Sequence, residues 1–216
     1  VEGVLGEIEM LYTRRYVKIK NTLEGLDDGR EIKQQDIATA DRVKAWQSLR
    51  NRNLLSMMNV KYIVSSLDFG WPWKKEFEVK PVEDEPIMTY VYENTEVLPR
   101  VYFANNASFV EPDESSTSLT KDKLVLDETK AFEALLAIKN FKNTTLIECE
   151  NCVNPGQPNF KDNLEIIENK PGYLRVKTQN KNPRYLVYSE SNLPYWEARI
   201  NGKMSPIYTA NYVYQA

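Results

Sequence analysis

Apolar residues at Leu5, Ile8, Tyr12, Tyr16, Ile19 and Leu23 recur every three or four positions, which sets them on one face of a helix over residues 2–24. Tyr-Val-Lys-Ile-Lys within it also alternates, so an extended reading stays open there. Gly25 and Asp27-Asp28-Gly29 end the segment in a turn. Val43, Trp46, Leu49, Leu54 and Met57 predict a second helix over 40–57, with Asp41 suited to its first turn. The period then drops to two in Asn59-Val-Lys-Tyr-Ile-Val-Ser, a strand with Val60, Tyr62 and Val64 on one face. Asp68-Phe-Gly-Trp-Pro-Trp-Lys-Lys follows as a loop, and Ile87 to Glu93 and Arg100 to Phe103 as two further strands.

Residues 111–127, acidic and then rich in Ser and Thr, read as a surface connection, with Asp127 as N-cap of the next helix. Ala131, Phe132, Leu135 and Leu136 give that helix, near 128–139, an apolar stripe, and Asn143 to Glu148 returns as a strand. Strand, helix, strand is a βαβ step, so Val101–Phe103 and Thr145–Ile147 are expected parallel in one sheet. Beyond Asn154-Pro-Gly-Gln-Pro the alternation persists through Leu164/Ile166, Leu174/Val176, Leu186/Tyr188 and Trp196/Ala198/Ile200. Asn169-Lys-Pro-Gly marks a turn, and Asn201-Gly202 a tight primed hairpin. The expected fold class is α+β. A mixed α/β part over 1–152, with helices near 2–24, 40–57 and 128–139, precedes an antiparallel β part over 158–216, a meander or half-sandwich, with the boundary at 153–158.

Composition narrows the function. With 42% hydrophobic and 27% charged residues over 216 positions, the chain can bury a core as one large domain or two small ones. A net charge of −3 gives no footprint for nucleic acid, and the densest basic run, Arg14, Arg15, Lys18 and Lys20, reads as a solvated helix face. No apolar run approaches the ~18–20 residues of a spanning helix. Histidine is absent, which removes Ser-His and Cys-His catalysis and every imidazole metal ligand. The chain opens on Val1 and closes within strand-like Asn211-Tyr-Val-Tyr-Gln-Ala, so flanking segments are expected on both sides.

Four segments carry a family likeness: Leu54-Leu-Ser-Met-Met-Asn-Val-Lys-Tyr-Ile-Val, Val91-Tyr-Glu-Asn-Thr-Glu-Val-Leu-Pro-Arg-Val-Tyr-Phe, Leu193-Pro-Tyr-Trp-Glu-Ala-Arg-Ile-Asn-Gly-Lys and Pro206-Ile-Tyr-Thr-Ala-Asn-Tyr. In this order, over about residues 40–216, they resemble the C-terminal extracytoplasmic region of the bacterial YfhO-like membrane protein family. One departure is Tyr195, where that family usually has Gly before the Trp. The resemblance implies a polytopic parent similar to membrane glycosyltransferases that use lipid-linked sugars. Its catalytic carboxylate would lie on an early loop between membrane helices, outside this chain. The implied partners are the parent's own transmembrane part and a glycan or lipid-linked sugar, at the extracytoplasmic face of a bacterial membrane. The resemblance carries no catalytic residue, cofactor or metal over to this chain.

Candidate chemistry in the residues themselves is sparse. Cys149-Glu-Asn-Cys152 is compatible with a zinc site, a thioredoxin-like redox pair, or a local disulfide or pair of free thiols. Zinc needs about four ligands and the redox pair a helix after its first Cys, whereas Pro155 and Gly156 follow here, so the local disulfide or free thiols are favoured. Trp71 and Trp73 flank Pro72 beside Gly70 and suit either contact with a glycan or membrane surface, or a plug closing the core; burial is favoured because Trp is usually buried. Trp196, with Tyr195, Tyr208, Tyr212 and Tyr214, suits cross-strand pairing better than a binding platform, though Trp196 remains a candidate contact. Glu111, Asp113 and Glu114, and the pair Glu148 and Glu150, are weak candidates for paired carboxylates.

Overall fold

The computed structural model describes residues 14–24, 39–80, 87–112 and 129–216. The chain forms two compact units, Val1–Leu98 and Pro99–Ala216. Together they make a mixed α+β fold, with four helices and thirteen strands among the described residues.

In the first unit, helix α1 (Arg14–Glu24) buries Ile19 and Leu23, four positions apart, as the periodicity requires. Residues 2–13 and the turn at Gly25 and Asp27–Gly29 lie outside the described residues. The single helix expected over 40–57 is two, α2 (Thr39–Gln47) and α3 (Leu49–Met57). Ser48 separates them: its backbone is extended and its side chain accepts from Asn51 N at 3.2 Å, so it caps α3. Helix α3 ends in a Schellman turn. Asn59 takes the left-handed conformation (φ 61°), while Val60 N donates to Leu55 O and Asn59 N to Ser56 O. The chain then enters strand β1 (Tyr62–Ser65), which pairs antiparallel with β3 (Thr89–Glu93).

A third strand, β2 (Lys74–Val79), completes the sheet in the order β1-β3-β2. The sequence reading places Lys74 and Lys75 in a loop instead. All six residues of β2 are exposed, and their charges mask the alternation. Through the register, Val64, Val91 and Phe77 share one face of this sheet, and Ile63 and Tyr92 point to the other, where the core lies.

Buried asparagines tie these elements together. Asn51 Nδ2 donates to Leu23 O at 2.9 Å, joining α3 to the end of α1. Asn94 Nδ2 donates to Val60 O at 2.8 Å and Ser56 Oγ at 3.2 Å, and its Oδ1 accepts from Glu96 N at 3.1 Å. Two of the four motif segments, 54–64 and 91–103, therefore meet at one side chain.

The second unit is built on a six-stranded sheet in the order β4-β9-β13-β12-β6-β5. Its strands are β4 (Val101–Phe103), β5 (Asn106–Val110), β6 (Thr144–Glu148), β9 (Leu186–Tyr188), β12 (Thr209–Ala210) and β13 (Tyr214–Gln215). Helix α4 (Thr129–Ala137) packs on β5 and β6 and buries Ala131, Phe132 and Leu135. The proposed N-cap Asp127 lies outside the described residues. A βαβ step is present, but the strand parallel to and beside β6 is β5, not Val101–Phe103. Those residues, as β4, stand at the other end of the strand order and pair antiparallel with β9. Only Ala104 and Asn105 separate β4 from β5, and it is β5 that leads into the crossover and pairs with β6.

The β part over 158–216 is antiparallel in all its pairings, as expected, and falls into three pieces. Strands β7 (Asn163–Lys170) and β8 (Tyr173–Gln179) form one hairpin, closed at Pro171-Gly172 with Gly172 at φ 73°. Strands β10 (Ala198–Ile200) and β11 (Lys203–Ser205) form another, with Asn201 and Gly202 both at positive φ, as a primed turn demands. The rest joins the six-stranded sheet. The units divide at Leu98/Pro99 rather than at 153–158, because β9 and β12 hydrogen-bond to β4 and β6, which precede that stretch.

An ion pair anchors the first hairpin. Arg184 Nη1 meets Asp162 Oδ2 at 2.6 Å with both side chains almost fully buried, Arg184 Nη2 donates to Ala104 O at 2.7 Å, and the guanidinium lies over the Phe103 ring.

Candidate functional site

The sequence treats Trp71 and Trp73 alike; the fold separates them. Trp73 is buried, and its Nε1 donates to Trp46 O at 2.9 Å. Phe69 is stacked between Trp46, at 5.5 Å, and Tyr92, at 5.3 Å. Trp73 is thus the plug that the sequence favours, whereas Trp71, across the cis peptide to Pro72, is 87% exposed.

The loop holding Trp71 is braced from below. Asp68 accepts from Lys75 Nζ at 2.7 Å, from Gly70 N at 3.0 Å and from the Tyr92 hydroxyl. That hydroxyl itself accepts from Phe69 N at 2.8 Å, and Gln47 Nε2 donates to Phe69 O. Lys75 first, and then Tyr92, hold the Asp68 carboxyl below its usual range. Burial, and then Asp68, push the Tyr92 hydroxyl up. Asp68, Tyr92 and Gln47 are committed to holding the loop, and the Trp71 indole stands in solvent above them. Such a surface can stack on a sugar ring or enter a lipid interface; it offers no poised acid and base.

Trp196 belongs to the second unit. It is half-buried and meets Tyr188 edge-on, with ring centroids 6.2 Å apart. Arg100 lies over the same Tyr188 ring at 5.5 Å and pairs with Glu190 at 2.6 Å. Arg100, Tyr188, Glu190 and Trp196 therefore form one cation–aromatic cluster, to which two of the likeness-bearing motifs contribute. Only Trp196 of these stands out in the sequence, since Arg100 and Glu190 are 90 residues apart and the β4–β9 pairing joins them. Tyr195 is exposed and has no positive φ, so this turn needs no glycine.

The other aromatic residues mostly pair as cross-strand or core contacts: Tyr208 with Tyr185, and Tyr212 with Phe132. Glu148 is buried at the end of β6 and Glu150 is exposed beyond it, so the two do not share a cleft. Glu111 is exposed, and Asp113 and Glu114 lie outside the described residues.

Cys149 and Cys152 form a disulfide, with Cα atoms 5.7 Å apart. It closes a tight loop just past β6, where Cys149 N donates to Val110 O at 2.9 Å. Residues 153–162 contain no helix, so the arrangement that activates a thioredoxin-type thiol is missing at this position. Among the described residues no group of three or more His, Cys, Asp or Glu could hold a metal ion, and no helix is long and apolar enough to cross a membrane.

No family model, curated protein or solved structure matches this chain.

Proposed function

We propose that this chain is an extracytoplasmic domain of a polytopic bacterial membrane protein resembling the YfhO-like family, an accessory to a glycosyltransferase-like membrane part with no active site of its own. The observation that carries this reading is the disulfide. Both cysteines of the sequence are consumed in it, and such bonds persist in oxidising compartments while cytosolic thiols are kept reduced. The order of the four motifs supports the likeness to that family. The test is made in the cells that produce the full-length protein. Acid-quenched cells treated with a maleimide should leave both thiols unmodified until a reductant is added, and the protein should sediment with membranes. Freely alkylated thiols, or a full reading frame without membrane helices, would overturn the proposal.

A second reading, a carbohydrate-binding module, is favoured by one observation: Trp71 stands exposed on a loop held rigid beneath it. Trp71→Ala should abolish retention on glycan arrays while leaving stability within about 0.5 kcal/mol, since no core contact is lost. Retention unchanged by that substitution would remove this reading. Trp73→Ala is no test of binding, because Trp73 is core.

A further inference from the structure

We propose that an open depression beside Phe160, in the second unit, is a binding site for an anionic sugar, one carrying a carboxylate or a phosphate. This goes beyond the role of Trp71 and does not depend on where the chain resides. The depression has a volume of about 430 Å³ and is lined by Asn159, Phe160, Lys161, Gln179, Asn180 and Lys181. That volume suits one or two sugar rings, near the lower end of small-ligand sites.

Phe160 is 91% exposed, more than any other large hydrophobic residue among those described. An apolar ring so fully in water, yet held in place, needs a reason. The turn that carries it is fastened by three hydrogen bonds between Asn159 and Asp162 and within the turn. Asp162 Oδ2 accepts from Asn159 N at 3.0 Å, Asn159 Oδ1 accepts from Lys161 N at 3.0 Å, and Asp162 N donates to Asn159 O at 2.9 Å. Behind the turn, the buried Arg184–Asp162 pair fixes it to the sheet. The ring is therefore presented by a preorganised loop, which lowers the entropic cost of binding.

The lining chemistry chooses the ligand class. It comprises one aromatic face, three carboxamide side chains, two lysines and no carboxylate. Asp162, the nearest acid in sequence, has its oxygens occupied by Arg184, Asn159 N and Lys181 N, so it does not offset the lysines at the mouth. Lys161 Nζ lies 5.5 Å from the Phe160 centroid and covers one face, leaving the other to stack on a sugar ring. Asn159 Oδ1 and Asn180 Nδ2 are taken by Lys161 N and Asn182 O, so the remaining carboxamide groups meet hydroxyls, and the ammonium groups favour a ligand with negative charge. Concavity favours a saccharide over a flat bilayer surface.

The experiment is an NMR titration of the isotopically labelled chain, following the backbone amides of Lys161, Asn180 and Lys181. The probes are a glucuronate-containing tetrasaccharide, glucose 6-phosphate, a neutral glucose tetrasaccharide, inorganic phosphate and phosphatidylglycerol vesicles. At least one charged sugar should shift these amides and bind at least fivefold more tightly than the neutral tetrasaccharide, and which one does so identifies the anionic group. Phe160→Ala, which removes no core contact, should weaken that binding at least fivefold. Lys161→Gln combined with Lys181→Gln should abolish the preference for charge. Four outcomes would each overturn the proposal: equal affinity for the neutral sugar, inorganic phosphate binding as well as the charged sugars, response to vesicles alone, or no response to any probe.

Discussion

Single buried polar residues do much of the organising in this protein. Asn94 is almost fully buried and uses both ends of its carboxamide to hold a helix end, a strand entry and a turn. Replacing it with Ala leaves Val60 O and Glu96 N without their partner. Stability of the first unit should fall by about 1–3 kcal/mol, read from the urea midpoint at constant slope. Asp162 gives a pH signature. Backbone donation from Asn159, with further help from Lys181 N and Arg184, holds its carboxyl below the ordinary 3.8. A depressed folded value means that ionised Asp162 contributes stability above pH 3.8 and that this contribution is lost as pH falls through the lower folded value. Asp162→Asn should therefore melt well below the parent at pH 7, and the difference should shrink as pH drops below 3.8. A difference that stays constant across that range would show that the charge is not what matters.

At the scale of elements, Ser48 is the clearest joint. Its side chain begins α3 at the point where α2 ends, so Ser48→Ala should cost about 1 kcal/mol in chemical denaturation, the usual effect of losing such a cap. The sequence shows the apolar spacing of 40–57 but not this break, because one serine in a helical stretch is unremarkable until its backbone turns extended. Turn residues were more readable. Asn201-Gly202 and Pro171-Gly172 close the hairpins they announce, since their permitted φ values are local properties. Strand β2 was hidden because Lys-Lys-Glu-Phe-Glu-Val lies on an exposed edge and has little burial pattern to display. Strand β5 is silent in the sequence for a different reason: Asn-Ala-Ser-Phe-Val has few β-branched residues and becomes a strand through its parallel partner β6. The Arg100–Glu190 cluster and the unlike fates of Trp71 and Trp73 depend on distant chain segments meeting, which no local pattern encodes.

The whole molecule is divided by hydrogen-bonding partners rather than by linker composition. The Pro- and Gly-containing stretch 153–158 looks like a hinge in sequence, yet β9, β12 and β13 beyond it complete a sheet begun by β4, β5 and β6 before it. A fragment spanning 99–216 should consequently give dispersed amide spectra and a cooperative melt. One spanning 158–216 should not, because β9 and β12 lose β4 and β6, and with them the rest of the sheet and its helix. A folded 158–216 fragment would contradict this division.

The four tryptophans give the molecule an intrinsic optical probe. Trp73 is buried, Trp46 and Trp196 are partly covered, and Trp71 alone stands almost wholly in water. Iodide should quench mainly the long-wavelength part of the emission, and Trp71→Phe should remove most of that quenchable light while leaving the shorter-wavelength part intact. Any molecule that settles on this indole would then announce itself as a blue shift and a loss of quenching, without a label attached to the protein.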